Sequence, residues 1–324
     1  MNMSENDFLL QVQHLRKYFY RERLFSSDRK PIRAVDDITF SIRRGETLGL
    51  VGESGCGKTT AGKSILRLIE PTSGQIFFKG KNIVDLNREE LRRLRPYMQF
   101  IFQDPYESLN PRMRVGEIVG EGLEVHRVAQ GREKVEKVSE ILMKVGLHPR
   151  DAMRYPHEFS GGQRQRIGIA RAISLNPELI IADEPVSALD VSIQAQILNL
   201  LMDLRDQLGF TYLFISHDLR IVKHISDRIA VMYLGKIVEM ADGEDLFRRP
   251  LHPYTQILLQ AIPRLKPSGR TQEGPAREEL PFHSLEKGCL FQLRCPHSRE
   301  RCRMEEPILL DQGEDHLVAC HFVS

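Results

Sequence analysis

Short hydrophobic segments separated by charged turns run through most of the 324 residues and predict alternating strands and helices. Strands are expected at residues 8–19, 35–42, 47–51, 75–78, 98–102, 179–183 and 211–215. A helix is expected at residues 57–69, and a longer core helix carries Ile193, Ile197, Leu200, Leu201, Leu204 and Leu208 at helical spacing. The alternation predicts an α/β fold with a mostly parallel core sheet.

The middle of the chain follows a different pattern, because residues 115–154 are charged and helical in period. One stripe of this pattern carries Val135, Val138, Ile141 and Leu142. We therefore expect a helical subdomain over about residues 104–175, set beside the core sheet.

A glycine-rich string follows the predicted strand at residues 47–51 and matches the phosphate-binding pattern GxxxxGK[ST]. In such a loop, backbone N–H groups at a helix N-terminus surround phosphate oxygens. The candidate nucleotide-binding residues are Gly52, Ser54, Gly55, Cys56, Gly57, Lys58, Thr59 and Thr60. Lys58 supplies a positive charge, Thr59 supplies a hydroxyl ligand for Mg²⁺, and Cys56 fills a variable position. The string predicts an ATP site.

Two carboxylates end the apolar string Leu179-Ile180-Ile181-Ala182-Asp183-Glu184. ATPases of this type use such a pair to hold Mg²⁺ and to polarise the attacking water. We assign the Mg²⁺ contact to Asp183 and the role of catalytic base to Glu184.

A third string, Ser160-Gly161-Gly162-Gln163, opens a predicted helix and forms a second anion-binding N-terminus. The phosphate loop of the same chain does not need it, so we expect it to contact the ATP of a partner. In order and combination the three strings resemble the ATP-binding-cassette (ABC) ATPases. The resemblance implies a P-loop cassette with an antiparallel β subdomain and a helical subdomain, and two cassettes packed head to tail around their nucleotides.

The resemblance also implies roles for residues outside the three strings. Gln103 matches the glutamine that senses Mg²⁺ and the γ-phosphate, and His217 matches the switch histidine that bonds the γ-phosphate. Asp190 matches the loop that contacts the opposite subunit. Phe19 is assigned to stack on adenine, with Tyr18 as the alternative.

More specifically, the chain resembles the ATPase subunits of bacterial dipeptide and oligopeptide importers, particularly the second of their two paralogous subunits. Four strings carry this resemblance: Val51-Gly52-Glu53-Ser54-Gly55-Cys56-Gly57-Lys58, Phe102-Gln103-Asp104-Pro105-Tyr106-Glu107-Ser108-Leu109-Asn110-Pro111-Arg112, Tyr155-Pro156-His157-Glu158-Phe159-Ser160-Gly161-Gly162-Gln163-Arg164-Gln165-Arg166 and His252-Pro253-Tyr254-Thr255. The implied partners are the paralogous ATPase, two membrane permease subunits and an extracytoplasmic peptide-binding protein. Nickel, glutathione or sugar remains an alternative cargo.

Charge and composition bear on the partners and the location. The chain carries 46 Lys and Arg against 44 Asp and Glu, a net charge of +2, which argues against a nucleic-acid partner. A non-transport ABC protein acting on DNA or ribosomes is the competing class, but such proteins usually have two cassettes or long inserted arms. The N-terminus lacks the pattern of a secretion signal, and no apolar run approaches the roughly 20 residues of a membrane span. We expect a peripheral protein on the cytoplasmic face of the inner membrane.

The C-terminal part changes in composition. We expect a cassette over residues 1–262, a Pro-rich and Gly-rich linker over residues 263–288, and a Cys-rich extension over residues 289–324. The extension holds Cys289, Cys295, Cys302 and Cys320, whose spacing is open to a zinc site, an iron–sulfur cluster or free thiols, with a disulfide framework disfavoured in the cytosol. The resemblance to peptide importers favours a 4Fe-4S cluster over Zn²⁺.

Overall fold

The computed structural model describes residues 7–20, 31–261 and 287–323, with the side chain of Glu107 left out. Nearly all of the expected linker at residues 263–288 lies outside these ranges. The strands are β1 (Phe8–Phe19), β2 (Ile32–Arg43), β3 (Thr47–Val51), β4 (Ser73–Phe78), β5 (Lys81–Asn82), β6 (Met98–Ile101), β7 (Leu179–Asp183), β8 (Thr211–Ser216), β9 (Arg228–Tyr233), β10 (Lys236–Asp242), β11 (Leu310–Asp311) and β12 (Leu317–Val318).

The helices are as follows: α1 (Lys58–Ile65), α2 (Arg88–Leu94), α3 (Pro105–Ser108), α4 (Val115–Val125), α5 (Gly131–Lys144), α6 (Gly161–Ile173), α7 (Val191–Leu208), α8 (Leu219–Ile225), α9 (Gly243–Arg248), α10 (Pro253–Gln260) and α11 (Glu300–Met304). In the part of the chain that the structure describes, short 3-10 helices cover Arg95–Tyr97, Pro149–Met153 and Pro156–Glu158. Within the described ranges, every helix falls short of the length and hydrophobicity that a membrane span requires.

The core is a sheet of eight strands in the order β11-β12-β10-β9-β3-β8-β7-β6. Strands β9, β3, β8, β7 and β6 run parallel to one another. Strands β10, β12 and β11 form one edge of the sheet, where each pairs antiparallel with its neighbour. Strands β3, β7 and β8 are buried along their whole length, as expected of parallel strands covered on both faces. The predicted α/β fold with a mostly parallel core sheet is confirmed.

A second sheet of four strands, in the order β2-β1-β4-β5, is antiparallel throughout. Its apolar face packs on the core sheet through a shared cluster that includes Leu10, Ile38 and Ile76 of this sheet with Leu48 and Ile215 of the core strands. This packing places the end of β1 and the start of β2 beside the loop that follows β3, because Ala34 approaches Gly57 there.

Helices α4, α5 and α6 lie between β6 and β7 in the sequence and pack against one another. Val138, Ile141 and Leu142 are buried, but Val135 is 61% exposed, so its assignment to the buried stripe is wrong. Helical spacing puts Val135 on the same face as Val138 and Leu142, but burial along α5 begins only at Val138. Helix α1 ends at Ile65, four residues before the expected end, because the chain turns there and Arg67 takes a left-handed φ of 49°.

The C-terminal segment, residues 287–323, packs against the rest of the chain. Strand β12 pairs with β10, so the segment extends the core sheet at its antiparallel edge. His316, which precedes β12, is buried and bonds the fully buried Glu239 of β10 at 2.7 Å. Phe291 is also buried, against Tyr233 and Tyr254.

Candidate active site

A cleft of about 520 Å³ opens where β3 and β7 end, between the core sheet and the antiparallel sheet. It is lined by Phe19, Ile32, Ala34, Ser54, Gly55, Gly57, Lys58, Thr59, Thr60, Gln103 and Glu184. Most of the residues that the sequence assigned to nucleotide thus lie around one space. Gly52 and Cys56 are buried and do not line it. The volume is within the range of small-molecule sites.

The phosphate loop runs from Gly52 to Thr59 and leaves no room for a side chain at Gly57. Gly57 has a left-handed φ of 109°, and a Cβ there would lie 1.9 Å from the carbonyl oxygen of Ala34 in β2. Only glycine fits this backbone. Lys58 is 4% exposed, and its ammonium donates to the carbonyl oxygens of Gly52 at 2.8 Å and Glu53 at 2.9 Å, so that its side chain lies inside the loop.

Thr59 and Asp183 meet at the bottom of the cleft, where the Thr59 hydroxyl donates to Asp183 Oδ1 at 2.9 Å. Asp183 is 2% exposed, and burial raises its pKa, as does the neighbouring Glu184 charge. A buried carboxylate beside a hydroxyl is an oxygen donor set of the kind that Mg²⁺ prefers, and a cation there would offset the cost of burying the charge. The residues present therefore fit Mg²⁺.

Glu184 is held between the other two predicted catalytic residues. Gln103 Nε2 donates to Glu184 Oε2 at 3.1 Å, and His217 Nδ1 lies 3.1 Å from Glu184 Oε1. Glu184 has a left-handed φ of 45°, a conformation that non-glycine residues adopt mainly where the surroundings enforce it. The Glu184 amide donates to the carbonyl of Ile215 on β8 at 2.9 Å, and this hydrogen bond holds the backbone in place. The structure thus brings Glu184, Gln103 and His217 together.

The two aromatic candidates at the end of β1 have different surroundings. Phe19 lines the cleft and is 39% exposed. The Tyr18 hydroxyl instead donates to Asp36, and Tyr18 is not among the residues that line the cleft. Ile32 and Ala34 also line the cleft and were missed, although the alternation along β2 marks Ala34 as inward-facing.

The Ser160-Gly161-Gly162-Gln163 string lies at the N-terminus of α6 and is not among the residues that line the cleft. Ser160 caps the helix: its hydroxyl accepts from the Gln163 amide at 3.4 Å, and Gln163 Oε1 accepts from the Ser160 amide at 3.0 Å. Gly162 is buried, and a Cβ there would lie 2.4 Å from Ile193 Cγ2. Asp190 likewise caps α7 through the amide of Ile193.

The four C-terminal cysteines do not form a metal site. The described residues include no group of three or more His, Cys, Asp or Glu arranged to hold a metal ion, and none of these described cysteines is joined in a disulfide. Burial raises the pKa of Cys289 to about 11 and also raises the pKa of Cys295 and Cys320, so the protonated thiol is favoured over the metal-binding thiolate. The prediction of a 4Fe-4S cluster is therefore wrong, and the Zn²⁺ alternative at Cys302 and its neighbours fails with it.

Comparison with known proteins identifies the family. The model of the ABC transporter family matches residues 35–187, and the model of the oligopeptide/dipeptide transporter C-terminal region matches residues 238–302. The oligopeptide transport ATP-binding protein AppF of Bacillus subtilis is 51% identical over the full length of both chains. The chain belongs to the ABC transporter ATPase family.

Other members of this ABC ATPase family share the same extent of similarity. The oligopeptide transport ATP-binding protein OppF of Bacillus subtilis is 52% identical over 88% of this chain and 92% of its own. A putative peptide import ATP-binding protein of Brucella ovis is 51% identical over 96% of this chain and 97% of its own.

Two solved structures have the cassette fold. The ATP-binding cassette MJ0796, a dimer in a post-hydrolysis state with ADP and Pi, matches with a TM-score of 0.64 and 29% identity over 72% of this chain and 98% of that chain. CbiO1 of Clostridium perfringens, part of the transporter complex cbiONQ, matches with a TM-score of 0.65 and 29% identity over 75% of this chain and 92% of that chain.

Proposed function

We propose that the chain is the ATP-hydrolysing subunit of an ABC importer for dipeptides and oligopeptides. The observation that carries the hydrolytic function is the position of Glu184, held by Gln103 and His217 at the cleft that Lys58 and Thr59 also line. Peptide cargo is supported by the names of relatives that are 51% identical over nearly the whole chain.

In the proposed reaction, ATP and water give ADP and phosphate. The phosphate-loop amides and Lys58 bind the β- and γ-phosphates, and Phe19 stacks on the adenine. Thr59, Gln103 and Asp183 would hold Mg²⁺, which when bound would supply positive charge beside the phosphate oxygens. Glu184 accepts the proton of the attacking water, while Gln103 and His217 keep its carboxylate in place.

The site is proposed to be completed by a second cassette. Ser160 to Gln163 of one subunit present a helix N-terminus to the nucleotide of the other, and Asp190 contacts the opposite subunit. The dimeric state of the MJ0796 cassette supports this pairing. The paralogous ATPase is the proposed second cassette, with two permease subunits and an extracytoplasmic peptide-binding protein completing an importer at the cytoplasmic face of the inner membrane.

The proposed domains follow the changes in composition along the sequence. They are a cassette over residues 1–262 with its helical subdomain at about 104–175, a linker over residues 263–288, and a C-terminal extension over residues 289–324. The model of the oligopeptide/dipeptide transporter C-terminal region matches residues 238–302, which include the end of the proposed cassette, the linker and the first part of the extension.

The test of the hydrolytic assignment is Glu184→Gln in the purified protein with its partner cassette. The variant keeps the size of the side chain and removes the base, so ATP should still bind while turnover falls by at least about a hundredfold. Glu178→Gln is the matched control, because it makes the same change just before β7, at the opposite end of the strand. Phosphate release by Glu184→Gln at the rate of the control would refute the assignment.

A further inference from the structure

The C-terminal segment contacts the phosphate loop directly. Arg294 donates from Nη1 to Glu53 Oε2 and from Nη2 to Glu53 Oε1, each at 2.9 Å. Glu53 is the second residue of the phosphate loop, immediately after Gly52. Two parallel N–H···O bonds between a guanidinium and a carboxylate give both strength and a fixed orientation. The pair therefore joins a segment remote in sequence to the loop that surrounds the phosphates.

Glu53 is held at each of its three polar groups. Its amide donates to the Tyr254 hydroxyl at 3.0 Å, its carbonyl accepts from Lys58 at 2.9 Å, and its carboxylate accepts from Arg294. A residue fixed at backbone and side chain has little freedom left. The position of Lys58 in the loop consequently depends on contacts made by α10 and by the C-terminal segment.

Aromatic packing holds Arg294 in place. Phe291, one turn earlier, is 1% exposed, with its ring 5.3 Å from Tyr233 and 5.5 Å from Tyr254. The Arg294 guanidinium lies 5.8 Å from the Tyr233 ring and 5.7 Å from the Phe291 ring. The side chain is thus oriented before it meets Glu53, so little rotamer entropy is lost in forming the pair.

The negative charge of Glu53 makes its pairing with Arg294 important for nucleotide binding. A carboxylate in the phosphate loop would repel the negative charge of a bound triphosphate, and the side chain of Glu53 is only 43% exposed, so water screens it incompletely. Arg294 supplies the compensating positive charge. Its guanidinium has a raised pKa because of the hydrogen bonds to Glu53 and stays charged throughout the working pH range.

We infer that Arg294 is a positioning residue of the nucleotide site, which neutralises Glu53 and holds the phosphate loop in its ATP-binding form. Because coupling between two equilibria is reciprocal, bound ATP in turn stabilises the docked C-terminal segment. The inference rests on the ATP binding proposed above and adds a dependence of that binding on residues 287–323.

The first test measures the Kd of a fluorescent, non-hydrolysable ATP analogue for the full-length protein. Arg294→Gln should weaken binding by about three- to tenfold, the range expected for an unpaired charge at a partly exposed site. Arg301→Gln is the matched control, since Arg301 also pairs with a glutamate, Glu305, but entirely within the C-terminal segment. Arg301→Gln should bind the analogue as the wild type does.

A double variant separates charge compensation from general structural support. Glu53→Gln combined with Arg294→Gln removes both charges, so its Kd should return to within about twofold of the wild-type value if repulsion is the cause. Arg294→Lys keeps the charge and should recover most of the affinity even if Arg294→Gln folds poorly. A double variant as weak as Arg294→Gln alone, or wild-type affinity in Arg294→Gln, would overturn the inference.

The reciprocal effect is measured by amide hydrogen exchange of the segment from Cys289 to Cys302. The analogue should slow exchange there in the wild type and much less in Glu53→Gln. Equal slowing in the two proteins would show that the segment does not respond through Glu53. A wild-type chain that fails to bind the analogue at all would instead count against the proposed function, so the two failures are distinguishable.

Discussion

Gly57 sets the path of the phosphate loop. Its left-handed backbone and the approach of the Ala34 carbonyl together exclude every side chain, so the path of the loop depends on one missing methyl group. Lys58 and Thr59 follow immediately and begin α1. Their positions in the cleft are therefore set by the turn at Gly57.

Gly57→Ala should destabilise the protein by more than the roughly 1 kcal/mol that left-handed strain alone costs, because the new Cβ must displace β2. Thermal unfolding and ATP binding measure the effect, and both should fall. Gly80→Ala is the control: Gly80 has a φ of 76° but nothing within 4 Å of its Cβ position. Equal losses in the two variants would contradict a role for the close approach.

The residues that the sequence correctly placed at the cleft belong to short motifs with fixed spacing. Lys58, Thr59, Gln103 and Glu184 meet at one cleft because each follows a strand end in a known order. The pair of Arg294 and Glu53 was missed, since a contact between remote segments depends on the path of the chain and leaves no local pattern. The four cysteines were over-interpreted for a related reason, because spacing along the chain does not fix the geometry of a donor set.

At the scale of elements, the residue that caps the N-terminus of α10 is a histidine, His252, whose cap requires a neutral ring. The Nδ1 atom of His252 accepts from the Tyr254 amide at 3.0 Å and caps the helix, and a protonated ring could not accept there. His252 is 2% exposed, and burial lowers its pKa to about 4. Tyr254 is the α10 residue that holds the Glu53 amide, so the cap also supports the phosphate loop.

The free energy of unfolding should therefore decrease as the pH is lowered through a defined range. The unfolded chain binds a proton at His252 near pH 6.5, whereas the folded chain resists it until about pH 4, so the free energy of unfolding decreases as pH falls between these values. His252→Asn keeps a capping acceptor without a titrating ring. Denaturant unfolding at pH 7 and pH 4.5 should show the wild type losing about 2 to 3 kcal/mol more than the variant. Equal losses would contradict the assignment.

Predictability also varied among elements. Long amphipathic or fully apolar elements such as α7, β7 and β8 were expected close to where they lie. Strands β11 and β12 have two residues each, too few for any period to be visible, and pair only because β10 offers an open edge. Helix α1 was overestimated because its apolar period continues past the turn at Arg67.

At the scale of the whole molecule, the helix cap at Ser160 lies outside the cleft of its own chain. Ser160→Ala should leave ATP binding by the isolated chain unchanged and lower hydrolysis by the paired cassettes at least about tenfold, since one anion-binding group is removed from the shared site. Asn87→Ala is the control, because Asn87 closes a similar capping box on α2. The cap itself contributes about 1 kcal/mol in both, so unfolding should shift alike. Full hydrolysis by Ser160→Ala would contradict a site shared between chains.

The pairing of β12 with β10 has a consequence for biosynthesis. Strand β10 emerges from the ribosome well before β12, with α9, α10 and the whole of residues 262–309 translated in between. Until then its outer edge exposes unpaired N–H and C=O groups, a ready template for contact with another nascent chain. Pairing at this edge of the sheet is thus delayed until β12 has been translated.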